Sequence, residues 1–196
     1  MLGDAMEVDG KFLKLERGAL WSLLFYHDLN KATYFSSKSE ALECNEEGKF
    51  SVLSRLSSKY KINNKYEFII EYPELNETNQ WRQSLNPLHQ PHNNGDNATG
   101  YEEIDVQMSI NYFGGLFYFS GNNVCLLKGS TNEWWHYAIG TISKEFDPCF
   151  PGPGTSSKIV KLWVRMPTSL LKASCKIVKS GISFKLAFHI LILSTS

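Results

Sequence analysis

Five histidines and four cysteines are the residues with which this chain could do chemistry, and their spacing settles little. His89 and His92 flank Gln-Pro, close enough to share a metal, yet no acid or cysteine triplet lies beside them, so a zinc centre would be under-liganded and no metal is expected. His27, followed by Asp28, and His136 stand in aromatic stretches where a histidine held by one hydrogen bond in the core is commoner than a general base. Cys44, Cys125, Cys149 and Cys175 form no Cys-x-x-Cys pair. Four buried thiols suit a chain of this size, while an oxidising compartment would leave three disulfide pairings open. No nucleophile elbow, Walker loop or dinucleotide fingerprint is present, so no catalytic residue and no cofactor is expected. Gly152-Pro-Gly154 reads as a rigid turn, since its prolines remove the amides that would cradle phosphate.

The elements that would position these groups read as mostly strand. Ala19–Asp28 is a dense apolar and aromatic run ended by turn formers, and Tyr66–Tyr72 has aromatic and β-branched content stopped by Pro73. Alternation of Ile104, Val106, Met108 and Ile110 with polar residues predicts a third strand over 104–110. A hairpin is expected from 116–120 and 124–127, a further aromatic strand over 134–142, and a closing strand over 158–165. Ser37 predicts the N-cap of a short helix ending near Leu42, and the spacing of Phe50, Leu53, Leu56 and Tyr60 predicts a second helix over 50–60. Residues 74–100, rich in Asn, Gln, Pro, His and Gly, read as a long surface loop with Trp81 as its anchor. The expected fold is α+β and sheet-dominated, mostly antiparallel and sandwich-like, with one or two short helices on its N-terminal side.

A chain of 196 residues with 42% hydrophobic and 13% aromatic side chains can bury a full core, which excludes wholesale disorder and collagen. Twenty basic against twenty acidic side chains leave no net charge, so a nucleic-acid partner is not expected. The charge is nonetheless polarised, because residues 148–196 carry 7 basic and no acidic side chains. A helix from 170 to 179 would bring Lys172, Lys176 and Lys179 together and could touch an anionic membrane. The first residues lack the apolar core of a signal peptide, and Ile182–Leu193 is too short for a membrane-spanning helix. Asn76-Glu-Thr and Asn97-Ala-Thr are N-glycosylation sequons.

The segments Leu24-Phe-Tyr-His-Asp28, Tyr34-Phe-Ser-Ser37, Tyr72-Pro-Glu-Leu75, Trp81-Arg-Gln-Ser-Leu-Asn-Pro87, Phe113-Gly-Gly-Leu116, Trp134-Trp-His-Tyr-Ala-Ile-Gly140, Pro151-Gly-Pro-Gly154 and Lys161-Leu-Trp-Val-Arg165 carry a family likeness. In order and spacing the stretch 20–166 resembles the fibrinogen-C-terminal-like domains of cnidarian extracellular and skeletal organic matrix proteins. The resemblance implies a binding domain over residues 10–166, a divergent tail over 167–196, an extracellular or cell-surface location, and a glycan or matrix protein as partner. It also implies Cys125 and Cys149 as a disulfide pair. Calcium is not expected, since the stretch before Trp134 lacks the Asp-x-Asp ligands that the ion favours. Trp81, Tyr112, Trp134, Trp135 and Tyr137 are the candidates for an aromatic platform that holds a sugar ring. Two other readings compete with this one: a hydrolase using His27 or His136 as base, and an intracellular scaffold domain.

Overall fold

A computed structural model describes residues 5–8, 10–91, 95–107, 112–120, 124–130, 137–142 and 157–170. The strands are β1 Met6–Val8, β2 Lys11–Glu16, β3 Ala19–Asp28, β4 Glu43–Glu46, β5 Lys49–Val52, β6 Tyr66–Tyr72, β7 Glu77–Gln83, β8 Glu102–Val106, β9 Phe113–Tyr118, β10 Leu127–Ser130 and β11 Ile159–Arg165. Seven of them run in the order β1-β2-β3-β11-β6-β7-β8, with β5 also pairing β3 and carrying β4; β9 and β10 form a separate two-stranded sheet. Every pair of named strands is antiparallel. The fold is therefore sheet-dominated α+β, as the residue pattern predicts. The strand expected to close the sheet, β11, instead lies at its centre between β3 and β6.

Two cores occupy the two faces of the main sheet, because successive side chains of a strand point to opposite sides. On the inner face Phe68, Ile70 and Tyr72 of β6 meet Val160, Leu162 and Val164 of β11, and the β9–β10 pair packs over them through Phe113, Leu116 and Leu127. On the outer face Trp21, Leu23, Tyr26, Phe50, Ile69 and Trp163 form a second cluster. A bulge keeps β3 in both cores. Trp163 opposes Leu23 and Leu162 opposes Phe25, so Leu24 is the extra residue and lies inward beside Phe25.

One helix, α1 at Lys38–Leu42, starts where the sequence places it: the Ser37 hydroxyl accepts from the Glu40 amide at 3.2 Å. The helix expected over 50–60 is absent. Phe50 belongs to β5, and Leu53–Arg55 and Ser58–Tyr60 are separate 3₁₀ turns. Their apolar side chains are still buried, but pairing of Phe25, Tyr26 and His27 with Ser51, Phe50 and Lys49 claims the first turn of the expected helix for the sheet. The supposed loop over 74–100 is likewise interrupted by β7, which is paired along its whole length with β6. Of the strand expected over 104–110, residues 108–110 lie outside the described residues; β8 covers Glu102–Val106, and Ile104 is 39% exposed where the register slips between Gln80 and Trp81. The hairpin is displaced from its expected limits, with β9 at Phe113–Tyr118 and β10 at Leu127–Ser130, so residues 124–126 precede the second strand and do not belong to it. The strand expected over 134–142 falls partly outside the described residues; within them Ile139 makes a single bridge to Leu127.

Candidate functional site

Two side-chain assemblies stand out, one holding a surface loop and one gathering titratable groups. The first begins on β7. Alternation sends Asn79, Trp81 and Gln83 inward, and all three are fully buried. Gln83 uses its whole amide. Its Oε1 accepts from the Trp81 indole and the Leu116 backbone N–H, both at 2.9 Å, and its Nε2 donates to the carbonyls of Leu85 at 2.9 Å and Leu116 at 3.1 Å. One buried side chain thus ties β7 to β9 and to the start of the following loop. Gln90 repeats the device further along, accepting the Thr99 N–H at 2.9 Å, while its own carbonyl accepts from Tyr118. The backbone adds Ser84 N–H to Thr99 and Ala98 N–H to Gly114. Gly115 makes the approach possible: with φ of 95°, any Cβ would meet the Ala98 methyl at 2.8 Å and Gln83 Oε1 at 3.0 Å.

Among the described residues, the surface carried by this scaffold is polar beside one exposed ring. Gly95, Asp96, Asn97 and Thr99 are exposed, and Tyr112, two residues before the Gly114 contact, is 48% exposed. Of the five aromatics proposed as a sugar platform, Trp81 and Tyr137 are fully buried and serve as core. Trp81 packs edge-on to Phe113 at 4.8 Å, and Phe113 in turn meets Tyr137 at 5.0 Å. Trp134 and Trp135 lie outside the described residues; of the three that are described, Tyr112 is the surface aromatic.

The second assembly surrounds His27. This ring is 3% exposed, lies 4.8 Å from the Phe35 ring, and its Nε2 is 3.0 Å from the Thr33 carbonyl, an acceptor that requires the proton on Nε2. Burial pushes its pKa below the usual histidine value. Asp28 does not pair with it: one carboxylate oxygen accepts from the Tyr26 hydroxyl at 3.0 Å and the other from the Asn30 N–H at 2.9 Å. Among the described residues, the histidine–acid–nucleophile geometry that a hydrolase would need is therefore not built around His27. His136 and His92 lie outside the described residues. Beside His27, the Glu40, Cys44 and Glu46 ligand atoms lie within 4.8 Å of one another, a spacing suited to a cation. The ammonium of Lys49 fills that role, bonding Glu40 at 2.5 Å and Glu46 at 3.2 Å. Burial raises the Cys44 pKa, so its sulfur stays a protonated thiol rather than a soft anionic ligand or nucleophile. Cys125 is fully buried, and Cys149 and Cys175 lie outside the described residues, as do Gly152 to Gly154.

These pKa shifts make the stability of the domain acid-sensitive in two steps. His27 binds a proton less readily when folded than its ordinary 6.5, and Glu40 is held at about 2, against 4.5, by the Lys49 ammonium and by Ser36. In each case the unfolded chain takes up the proton first, so stability is full above the unfolded pKa and falls as pH drops through the folded one. Denaturant titrations at a series of pH values should show one loss setting in below 6.5 and a second between 4.5 and about 2. Lys49→Met should move the second step upward toward 4.5. A wild-type profile that is flat across both windows would contradict the assignment.

No helix among the described residues is long and apolar enough to cross a membrane. No family model, curated protein or solved structure matches the chain. Residue order had not singled out Gln83, Gln90 or Lys49. Both glutamines sit in a stretch whose composition suggests only a loop, whereas Lys49 follows Glu46 and Glu47 in a charge pattern that could have been read as an ion pair.

Proposed function

We propose that the chain is a non-enzymatic recognition or matrix-assembly module that works outside the cell and holds a glycan or a matrix protein. The family likeness to fibrinogen-C-terminal-like domains suggests this class. The observation that carries it here is the amide scaffold: two buried glutamines are spent on fixing a loop whose outer residues are small, polar and flanked by exposed Tyr112. Interior amides are costly to bury and are retained where a surface must keep one shape. A rigid loop presenting the exposed Asp96 and Thr99 beside an aromatic ring suits a partly polar ligand such as a sugar.

Binding of the full chain to immobilised glycans and to extracellular-matrix preparations tests the reading. Tyr112→Ala should weaken binding by the folded protein about tenfold, equivalent to about 1.4 kcal/mol. Absence of binding to every glycan and matrix sample by folded protein would remove the proposal, and binding that ignores Tyr112 would move the site elsewhere.

A further inference from the structure

We infer that Asn76 and Asn97 carry N-linked glycans in the mature protein, one at each end of β7. The sequence supplies the two acceptor triplets, and the structure supplies three independent conditions for their use. Both asparagines are exposed. Asn76 sits at φ 53° in the tight turn between β6 and β7, while Asn97 follows the turn residue Gly95, whose φ is 89°. Neither carboxamide bonds to the protein among the described residues. That contrasts with Asn86, whose Nδ2 donates to the Leu56 carbonyl and whose Oδ1 accepts from Leu88, and with fully buried Asn79, whose Oδ1 accepts the Gln107 N–H. The fold thus consumes the amides it needs for its interior and leaves the two acceptor nitrogens free for chemistry.

The reaction is a glycosyl transfer from a lipid-pyrophosphate-linked oligosaccharide, catalysed by a lumenal transferase. A bond forms between Asn Nδ2 and C1 of the donor's first sugar, and the bond from C1 to the pyrophosphate oxygen breaks. The lipid pyrophosphate leaves with the electron pair, and the amide proton passes to a base on the transferase. Position then decides consequence. Asn76 immediately precedes β7, and Asn97 lies beyond its other end, where Thr99 bonds Ser84. Seven residues of strand at roughly 3.3 Å each make β7, which lies between the two sites, about 23 Å long. Asn97 immediately precedes Ala98, whose N–H bonds Gly114 two residues from Tyr112, and Asn76 lies at the far end of the strand.

The inference rests on the extracellular placement proposed above only for the chain's access to the transferase, and two samples separate the two ideas. In the first, the full chain is directed into the secretory lumen of a eukaryotic cell by an added leader and treated with peptide-N-glycosidase. Two discrete mobility steps are expected, of which Asn76→Gln removes one, Asn97→Gln the other, and the double variant both. Thr78→Ala and Thr99→Ala, which keep each asparagine but remove the hydroxyl, should reproduce the pattern. A sugar-free lumenal chain overturns the inference whatever the native location. In the second, the protein is taken from its natural source: glycans at both sites support both ideas, whereas a sugar-free native chain alongside a glycosylated lumenal one overturns the extracellular placement and the native modification together.

Discussion

Replacing Gln83 by leucine should cost about 4 kcal/mol, a large share of the roughly 5–15 kcal/mol by which domains are stable. Leucine has similar bulk, so the change leaves little cavity and acts through hydrogen bonds alone. It strands two fully buried donors, the Trp81 indole N–H and the Leu116 N–H, and deprives two carbonyls, that of buried Leu116 and that of Leu85, which is 37% exposed and can turn to water. Each group left unsatisfied in such an interior costs on the order of 1–3 kcal/mol, and partial relaxation keeps the sum below the simple total. Urea denaturation followed by tryptophan fluorescence reads the effect directly, with a fall of roughly 10 °C in the thermal midpoint as the companion signal. Gln83→Glu isolates the donor half. A carboxylate there would face two carbonyl oxygens, so the protonated acid is favoured in the folded state and the variant should lose stability as pH rises from about 4.3. A loss under 1 kcal/mol for the leucine variant would mean that the loop is held by its backbone bonds, and the argument for a preformed binding surface would fall with it.

The strands that residue pattern reveals are those with apolar or aromatic residues on both faces. Ala19–Asp28 is of this kind because the sheet has a core on either side of it, and Tyr66–Tyr72 shows itself by inward Phe68, Ile70 and Tyr72 with Ile69 on the outer face between Glu67 and Glu71. β7 escapes notice for the opposite reason. Its inward residues Asn79 and Gln83 are amides, and its outward Gln80 and Arg82 join an ion lattice, so only Trp81 announces the interior. Period alone misleads at 50–60, where Leu53, Leu56 and Tyr60 do all face the inner core, but from two 3₁₀ turns that follow a paired strand. A helical spacing of apolar residues shows that they share a side and leaves open which backbone brings them there. The site was less legible still. Tryptophan and tyrosine suggest a platform by type, yet burial decides between platform and core, and it places Trp81 and Tyr137 in the core and Tyr112 on the surface.

Charge alternation held a signal that composition hides, and it leads to the second large expected effect. Glu67 of β6 is 3% exposed on the outer face, where its carboxylate accepts from Gln80 and Arg82 at 2.9 Å and from Arg165 at 3.1 Å. Gln80 passes the connection to Arg17 in the β2–β3 turn, Arg17 to Asp105, and Arg82 to Glu102, so one anion links β6, β7, β8 and β11. Glu67→Ala should destabilise the domain by about 3 kcal/mol, at the lower end for a broken buried pair because both arginines remain 36% exposed and can rehydrate. A double-mutant cycle with Arg165→Ala should return a coupling of about 1–2 kcal/mol, retained in strong salt, where charges in open solvent are screened within about 3 Å. The exposed pair Arg55–Glu43 serves as the control and should show no measurable coupling under the same conditions. If the two cycles gave the same small value, the lattice would be a solvated surface pattern; a persistent difference makes Glu67 the residue that fixes the outer face, and with it the end of β7 from which the loop departs.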